Sequence, residues 1–367
     1  YDEASLRGLY YTARSIKQTR HSLPGAVEQT EVENWPFTRY SKSTTFTALQ
    51  MAVSVALGCD GATLNLFDHM GNPIDEEGAW GAMLREWRPY LDGLAARCHG
   101  QAPCGGVRLL NQERFSDHAH LPAGADYGAL TQDASGWDEP LQALGFATTY
   151  DDGPVTALTG QATRAMCRTE IEALLAGGLL LDGSAARTLC DLGYAGEIGV
   201  DVPRILEKDA WAPLAAEEWH NTAFGGAPGV FLTMTLPDLM GGARLAEVRP
   251  LPGAVEISRL INMDHETVLP YLTACENRFG GRVAVLPFVL TGRYLSLLSP
   301  ARKRQMSALL RWLSRDQLPL EVTADGAYPL PILRRFPGHA IVGACNLTLD
   351  PWTRMTFDLA GPAPARV

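Results

Sequence analysis

The sequence reads Val27-Glu28-Gln29-Thr30-Glu31-Val32-Glu33-Asn34-Trp35-Pro36 and then, after one apolar helical stretch, Gly61-Ala62-Thr63-Leu64-Asn65-Leu66-Phe67-Asp68-His69. Two short extended segments joined by a helix are the repeating unit of a parallel α/β sheet. The first segment carries three carboxylates, two amides and a tryptophan, so it is too polar to be a strand buried along its whole length. Parallel sheets place their functional residues where strands end in loops. We therefore predict an α/β fold with a site at the ends of these two strands.

Composition and charge exclude several classes of function. The 367 residues are 46% apolar and 20% charged, which is a globular composition long enough for two domains. The formal net charge is −10, with Lys and Arg scattered, and this argues against nucleic acid as the main partner. The basic run Arg302-Lys303-Arg304 lies in an amphipathic pattern and predicts a solvated helix face. No apolar run is long enough to span a bilayer, so no membrane partner is predicted.

The chain begins at Tyr1 inside a helical pattern. We expect a fragment or a processed chain of a cytoplasmic protein, with the true N-terminus missing from this sequence.

Cysteine and histidine spacing gives no metal signature. The seven cysteines stand at positions 59, 98, 104, 167, 190, 275 and 345. Cys59, Cys167 and Cys190 lie in apolar helical settings, which predicts reduced thiols in a core. Cys98 and Cys104 are close in sequence, but no second pair follows with the spacing of zinc ligands. We predict neither a metal nor a cofactor.

The hydrophobic pattern predicts the main elements. Helices are predicted over residues 3–20, 48–57, 78–98 and 299–313, and strands from about 23, over 61–67, over 179–183 and over 282–288. Residues 199–255 alternate like antiparallel strands, and the composition between 101 and 106 marks a domain boundary.

The turn Asp182-Gly183-Ser184 leads from a strand into a helix and invites comparison with a nucleophile elbow. Such an elbow needs glycine two residues before and two after the nucleophile, where this chain has Asp182 and Ala186. We therefore predict that Ser184 is the N-cap of the helix that follows, and a serine hydrolase centred on it is disfavoured.

The acidic cluster has a functional and a structural interpretation. Retaining glycosidases place two carboxyl groups about 5–5.5 Å apart, one of them a nucleophile. In an extended segment Glu28 faces one way and Glu31 and Glu33 the other, so only one register can point into a barrel. Trp35 is either a ring on which a sugar stacks or a plug in the core, and the acidic run is either a site or an exposed rim.

A resemblance favours the functional interpretation. Val27-Glu28-Gln29 with Asn34-Trp35, followed by Ala56-Leu57-Gly58 and Asp60-Gly61, resembles the passage through strands seven and eight of the (β/α)8 barrel in family 42 glycoside hydrolases. Leu66, Phe67 and Asp68 depart from that family and resemble the related family 164, which acts on β-mannosides. The resemblance implies that Glu28 is the nucleophile, with Glu31 in reserve. It also implies sugar contacts from Gln29, Asn34, Trp35, Asp68 and His69.

The resemblance also implies a domain order. Residues 1–100 would be the C-terminal part of the barrel, 105–335 an amidotransferase-like α/β domain of the flavodoxin or Rossmann type that forms a homotrimer, and 339–367 the start of a β-sandwich.

The implied activity is that of a retaining β-glycosidase, β-galactosidase-like, acting on an oligosaccharide or β-glycoside through a covalent glycosyl-enzyme. A β-mannosidase is the first alternative, and a non-catalytic carbohydrate-binding or assembly module the second. The acid/base carboxyl group is expected upstream of Tyr1, so this chain alone is expected not to hydrolyse glycosides.

Overall fold

The structure is a computed structural model. It describes residues 4–35, 37–38, 40–67, 73–121, 123–132, 135–206, 214–224, 229–233, 244–290 and 297–361. The chain divides into two compact units, and each is described by itself. The first comprises residues 1–105, 149–151 and 322–357, and the second comprises 106–148, 152–321 and 358–367.

The α-helices of the described residues are α1 (Ala4–Ser22), α2 (Thr44–Ala56), α3 (Gly78–Cys98), α4 (Phe115–His118), α5 (Ser135–Ala143), α6 (Arg168–Leu175), α7 (Gly183–Asp191), α8 (Ala195–Ile198) and α9 (Pro300–Leu313). Short 3-10 helices span Ile74–Glu77, Tyr127–Leu130 and Ala162–Ala165. None of these helices is long and apolar enough to cross a bilayer.

The strands fall into two sets. The first ten are β1 (Gln29–Glu33), β2 (Gly61–Asn65), β3 (Val107–Leu109), β4 (Thr148–Thr149), β5 (Val155–Leu158), β6 (Gly178–Asp182), β7 (Val200–Leu206), β8 (Ala216–Trp219), β9 (Val230–Thr233) and β10 (Arg244–Pro250). The others are β11 (Val255–Glu256), β12 (Ser258–Ile261), β13 (Thr267–Pro270), β14 (Thr273–Glu276), β15 (Arg282–Leu286), β16 (Phe288–Val289), β17 (Leu320–Ala324), β18 (Pro329–Phe336), β19 (His339–Asn346) and β20 (Met355–Leu359).

The first unit is built around the parallel pair β1–β2. The pair runs in register from Gln29 opposite Gly61 to Glu33 opposite Asn65. Helices α2 and α3 cover one face of it, where Val32 packs in an apolar core. The other core members are Ala48, Met51, Leu66, Trp80 and Met83. The predicted strand–helix–strand unit is confirmed, because the buried positions of β1 alternate and those of α2 recur at helical spacing.

Two boundaries in this unit differ from the prediction. Strand β1 was predicted from about Leu23, but it begins at Gln29. The chain first turns through Gly25, whose positive φ of 84° continues neither the helix nor a strand. Helix α2 begins at Thr44, earlier than predicted, because the Ser43 side chain accepts a hydrogen bond from the Phe46 amide and caps the helix.

A hairpin and a buried arginine complete the first unit. Strands β18 and β19 pair antiparallel along their whole length. The Arg334 side chain in β18 is fully buried and donates hydrogen bonds to the carbonyl oxygens of Cys98, Gly100 and Ala102. The Tyr10 hydroxyl of α1 donates to the carbonyl of Pro329 at 2.9 Å. The hairpin is thus fixed to both α1 and the end of α3.

The second unit contains a seven-stranded sheet in the order β11-β14-β15-β6-β5-β3-β4. Its centre is parallel, since β3 pairs with β5, β5 with β6 and β6 with β15 in the same direction. Leu179, Leu180 and Leu181 of β6 are completely buried, as expected for a strand covered on both faces. The expected α/β class is confirmed by this parallel sheet.

Antiparallel strands occupy the region where alternation predicted them. Strands β16, β10 and β7 form one sheet, and β13, β12, β8 and β9 form another. Arg302, which was predicted on a solvated face, is instead buried. It pairs with the buried carboxylate of Glu217 and with the Gln305 amide. Burial is tolerated because both charges are paired and hydrogen-bonded.

Residues 322–357, which include β18 and β19, group with the first unit. The predicted order of barrel part, amidotransferase-like domain and β-sandwich stays a prediction.

Candidate functional site

The β1–β2 pair has a buried face and a polar face. Thr30 and Val32 are buried against the helices, whereas Gln29 and Glu31 are exposed and Glu33 is half-buried. This is the predicted alternation. Because parallel partners in register point to the same side, Thr63 and Asn65 of β2 extend the set. We call Gln29, Glu31, Glu33, Thr63 and Asn65 the polar face.

Hydrogen bonds link the polar face across the two strands. The Thr63 hydroxyl donates to Gln29 Oε1 at 3.2 Å, near the beginning of the strands. At the carboxyl end, Asn65 Nδ2 donates to Glu33 Oε1 at 3.3 Å. Of the three predicted carboxylates, Glu33 is therefore the one at the carboxyl end of a parallel strand, where functional residues of such sheets gather.

Glu28 lies at the opposite end of the pair. It precedes Gln29, the first residue of β1, so the expectation that it ends the strand is wrong. Its side chain is 12% exposed and forms an ion pair with Arg20 of α1 at 3.4 Å. Burial raises the pKa of Glu28, an effect opposed by the Arg20 charge and hydrogen bond.

The loop between β1 and α2 holds the carboxyl end of β1. The Ser41 hydroxyl donates to the carbonyl of Asn34 at 3.0 Å, and Lys42 Nζ donates to the carbonyl of Glu33 at 2.6 Å. Asn34, a predicted sugar contact, is only 1% exposed, and its amide donates to the carbonyl of Leu66 at 2.7 Å. Asn34 thus joins the ends of the two segments from inside.

Aromatic rings stand at the same end. Trp35 follows the strand and is 72% exposed, so the alternative of a core plug is wrong. The Phe37 ring meets it edge to face, with ring centroids 5.1 Å apart. Phe67, beyond the end of β2, is also exposed. Exposed rings beside carboxylates offer the apolar faces and charged acceptors that a sugar ring needs.

The remaining predicted residues are dispersed. Gln29 is at the amino end of the polar face, and Asp68 and His69 lie outside the described residues. No group of three His, Cys, Asp or Glu within the described ranges is arranged to hold a metal ion. Cys167, predicted in the core, is exposed at the start of α6, while Cys59 is buried.

The turn at Ser184 also differs from the prediction. Asp182, not Ser184, caps α7, because its carboxylate accepts a hydrogen bond from the Ala185 amide at 2.7 Å. The Ser184 hydroxyl donates to Asp182 and accepts from the Gly160 amide at 2.9 Å. The hydroxyl is therefore occupied by structural hydrogen bonds.

Sequence reasoning missed Lys42 and Asn65 as members of this site. Asn65 could have been found, because it has the same parity in β2 as Glu33 has in β1. Lys42 lies in a loop with no periodic signal.

Comparison with known proteins gives a fold and no family. No family model matches the sequence, and no curated protein matches it. Among solved structures, α-L-fucosidase isoenzyme 2 from Paenibacillus thiaminolyticus superposes with a TM-score of 0.52 at 14% identity, covering 80% of this chain and 44% of that one. The chain is similar in fold to a glycoside hydrolase. At this identity the likeness concerns fold alone, and the chain spans less than half the length of the fucosidase structure.

A second solved structure, the mmIFT52 N-terminal domain, has a TM-score of 0.31 at 15% identity, covering 46% of this chain and 83% of that one. This likeness is too weak to carry an argument. The resemblance to family 42 stays a prediction, since the glycoside hydrolase found is a fucosidase.

Proposed function

We propose that the chain is part of a retaining glycosidase and that the carboxyl end of β1–β2 contributes its nucleophile. The observation that carries the proposal is the position of Glu33. It is a half-buried carboxylate on the polar face, at the carboxyl end of a parallel strand, hydrogen-bonded by Asn65 and next to the exposed Trp35. The fold likeness to an α-L-fucosidase supports the same class of chemistry.

The nucleophile must be an ionised carboxylate that reaches the sugar from one side. Glu33 and Glu31 both face the open side of β1, and Glu33 is nearer the strand's carboxyl end. Glu28 is less well supported, because it lies at the amino end, is engaged by Arg20, and is buried in a way that favours its neutral form. We rank Glu33 first, Glu31 second and Glu28 third.

In the proposed reaction the Glu33 carboxylate attacks the anomeric carbon and the bond to the leaving oxygen breaks. This leaves a glycosyl ester that water then hydrolyses. Asn65 orients the carboxylate through its amide. A second carboxyl group about 5–5.5 Å away must protonate the leaving oxygen, and the family resemblance assigns it to another strand. A β-galactoside is the proposed substrate, a β-mannoside its alternative, and a homotrimer the proposed assembly.

One observation favours a second candidate function. Trp35 is largely exposed with Phe37 against its edge, an arrangement that would also suit a non-catalytic carbohydrate-binding surface. In that case sugars bind at Trp35 and Glu33→Gln leaves their affinity unchanged, with no turnover in any variant.

Azide rescue of alanine-sized cavities tests the proposed nucleophile. We expect Glu33→Gly to lower the hydrolysis of a dinitrophenyl glycoside by about 10⁴-fold or more, since it removes the nucleophile. Azide should then fill the space and yield a glycosyl azide. Such a substrate needs no protonation to leave, so the assay does not depend on the general acid.

Glu28→Gln is the matched control, because Gln keeps a hydrogen bond to Arg20, and it should retain most of the turnover. Rescue of a Glu31→Gly variant in place of Glu33→Gly would move the assignment by two residues. Loss of turnover with azide rescue only at position 28 would contradict the ranking.

A further inference from the structure

We propose that Lys42 is a positioning residue for the reaction, which holds the end of β1 and places a positive charge beside the Glu33 carboxylate. This inference rests on the proposed function, and it names a residue that no sequence motif singles out.

Three contacts fix the Lys42 side chain. Its ammonium nitrogen donates to the carbonyl oxygen of Glu33 at 2.6 Å and to Gln50 Oε1 of α2 at 2.9 Å. It also lies 5.6 Å from the centroid of the Phe46 ring, within the range of a cation–π contact. A surface lysine usually keeps its head group in water. Lys42 instead has two of its three donors bound to protein.

Holding the strand end does not by itself require a charge. The Ser41 hydroxyl binds the carbonyl of Asn34, and the Asn34 amide binds the carbonyl of Leu66. Neutral donors therefore already serve this purpose at neighbouring positions. An ammonium group at the Glu33 carbonyl adds a full positive charge next to the proposed nucleophile.

The electrostatics of Lys42 indicate the same pairing. Burial lowers the pKa of Lys42, because the ammonium form loses hydration, and the negative charge of Glu33 opposes that effect. Glu33 is the charged group acting on Lys42 from the packed elements, while Gln50 and Phe46 on α2 are uncharged. The interaction is mutual, so the ammonium favours the ionised carboxylate, which is the form that attacks.

The pairing can be measured without an enzyme assay. Lysines stand at only four positions of the sequence, 17, 42, 208 and 303, so carbon-13 methylated lysines should give few, separable NMR signals in the intact chain. Titration of Glu33→Gln should show a pKa of Lys42 lower than in the wild type, because the opposing charge is gone. Glu31→Gln is the matched control on the same face and should leave that pKa unchanged.

The catalytic consequence is tested with Lys42→Met and Lys42→Arg. We expect Lys42→Met to lower kcat/KM for a dinitrophenyl glycoside by about 10- to 100-fold. It should also move the acid limb of the pH profile to higher pH, because the carboxylate loses its cationic neighbour. Lys42→Arg should restore the limb.

The outcomes separate the two proposals. A wild-type protein that hydrolyses no glycoside contradicts the proposed function, and the titration then decides the Lys42–Glu33 pairing alone. Hydrolysis with an unmoved acid limb in Lys42→Met, or an unchanged Lys42 pKa in Glu33→Gln, overturns the inference. A lower melting temperature of Lys42→Met without a shifted limb gives Lys42 a structural role only and also overturns it.

Discussion

At the scale of single residues, Asp182 shows how burial changes acid–base behaviour away from the candidate site. Its carboxylate is completely buried at the end of β6 and accepts hydrogen bonds from the Ser184 hydroxyl and the Ala185 amide. Burial raises the pKa of Asp182 to about 6, although these hydrogen bonds oppose the effect. The folded chain therefore holds this proton more tightly than the unfolded chain does.

The sign of the pH dependence follows from linkage. The unfolded pKa is about 4, so the stabilisation is complete below pH 4 and is lost as the pH rises towards 6. At about 1.4 kcal/mol per pKa unit, the loss approaches about 3 kcal/mol. Asp182→Asn keeps a good N-cap and cannot titrate. Relative to the wild type, it should gain about that much free energy of unfolding between pH 4 and pH 7.

Urea denaturation of both proteins at a series of pH values measures this difference. A difference that stays constant from pH 4 to pH 7 would show that Asp182 does not titrate in this range.

The acidic segment shows how far residue-level prediction reaches. Alternation correctly separated Glu31 and Glu33 from Thr30, because side chains of a strand point to opposite faces. The same pattern could not tell which end of the strand each carboxylate occupies. That depended on where β1 begins, which the turn at Gly25 decides.

At the scale of elements, the second unit depends on close backbone approach at the start of β15. A Cβ atom on Gly281 would lie 1.9 Å from the carbonyl oxygen of Leu175 and 2.8 Å from that of Gly177. Backbone atoms cannot move aside as a flexible side chain can. Gly281→Ala should therefore destabilise the protein by about 1–3 kcal/mol or more.

Gly196 in α8 is the matched control, since nothing lies within 4 Å of its added Cβ. Gly196→Ala should raise stability by about 0.4–1 kcal/mol by restricting the unfolded chain. Equal midpoints of urea denaturation for the two alanine variants would contradict the close approach.

Amphipathic elements were predicted well and polar exceptions poorly. The apolar stripe of α3 gave its bounds, residues 78–98, because the helix buries one side against β1–β2. Arg302 was misplaced because charge alone favours a solvated face, while its buried partner Glu217 lies 85 residues away in sequence. Long-range pairing of this kind has no local signal.

At the scale of the whole molecule, the fold likeness and the polar face support one chemistry from independent directions. The likeness to an α-L-fucosidase covers 80% of the chain, whereas the position of Glu33 depends only on β1, β2 and the loop that follows β1. The α/β class was predictable from the order of apolar segments. The domain order and the sugar were not, because both depend on packing and pocket shape that no short motif encodes.

The most direct test of the central claim is covalent trapping. A dinitrophenyl 2-deoxy-2-fluoro-β-glycoside should glycosylate the nucleophile and accumulate as an ester, since the fluorine slows both steps and the activated leaving group spares the first. Fragmentation of the labelled peptide by mass spectrometry then identifies the modified residue. We predict a single glycosyl adduct on Glu33. An adduct on Glu28, or on no residue of the segment 27–36, would contradict the account.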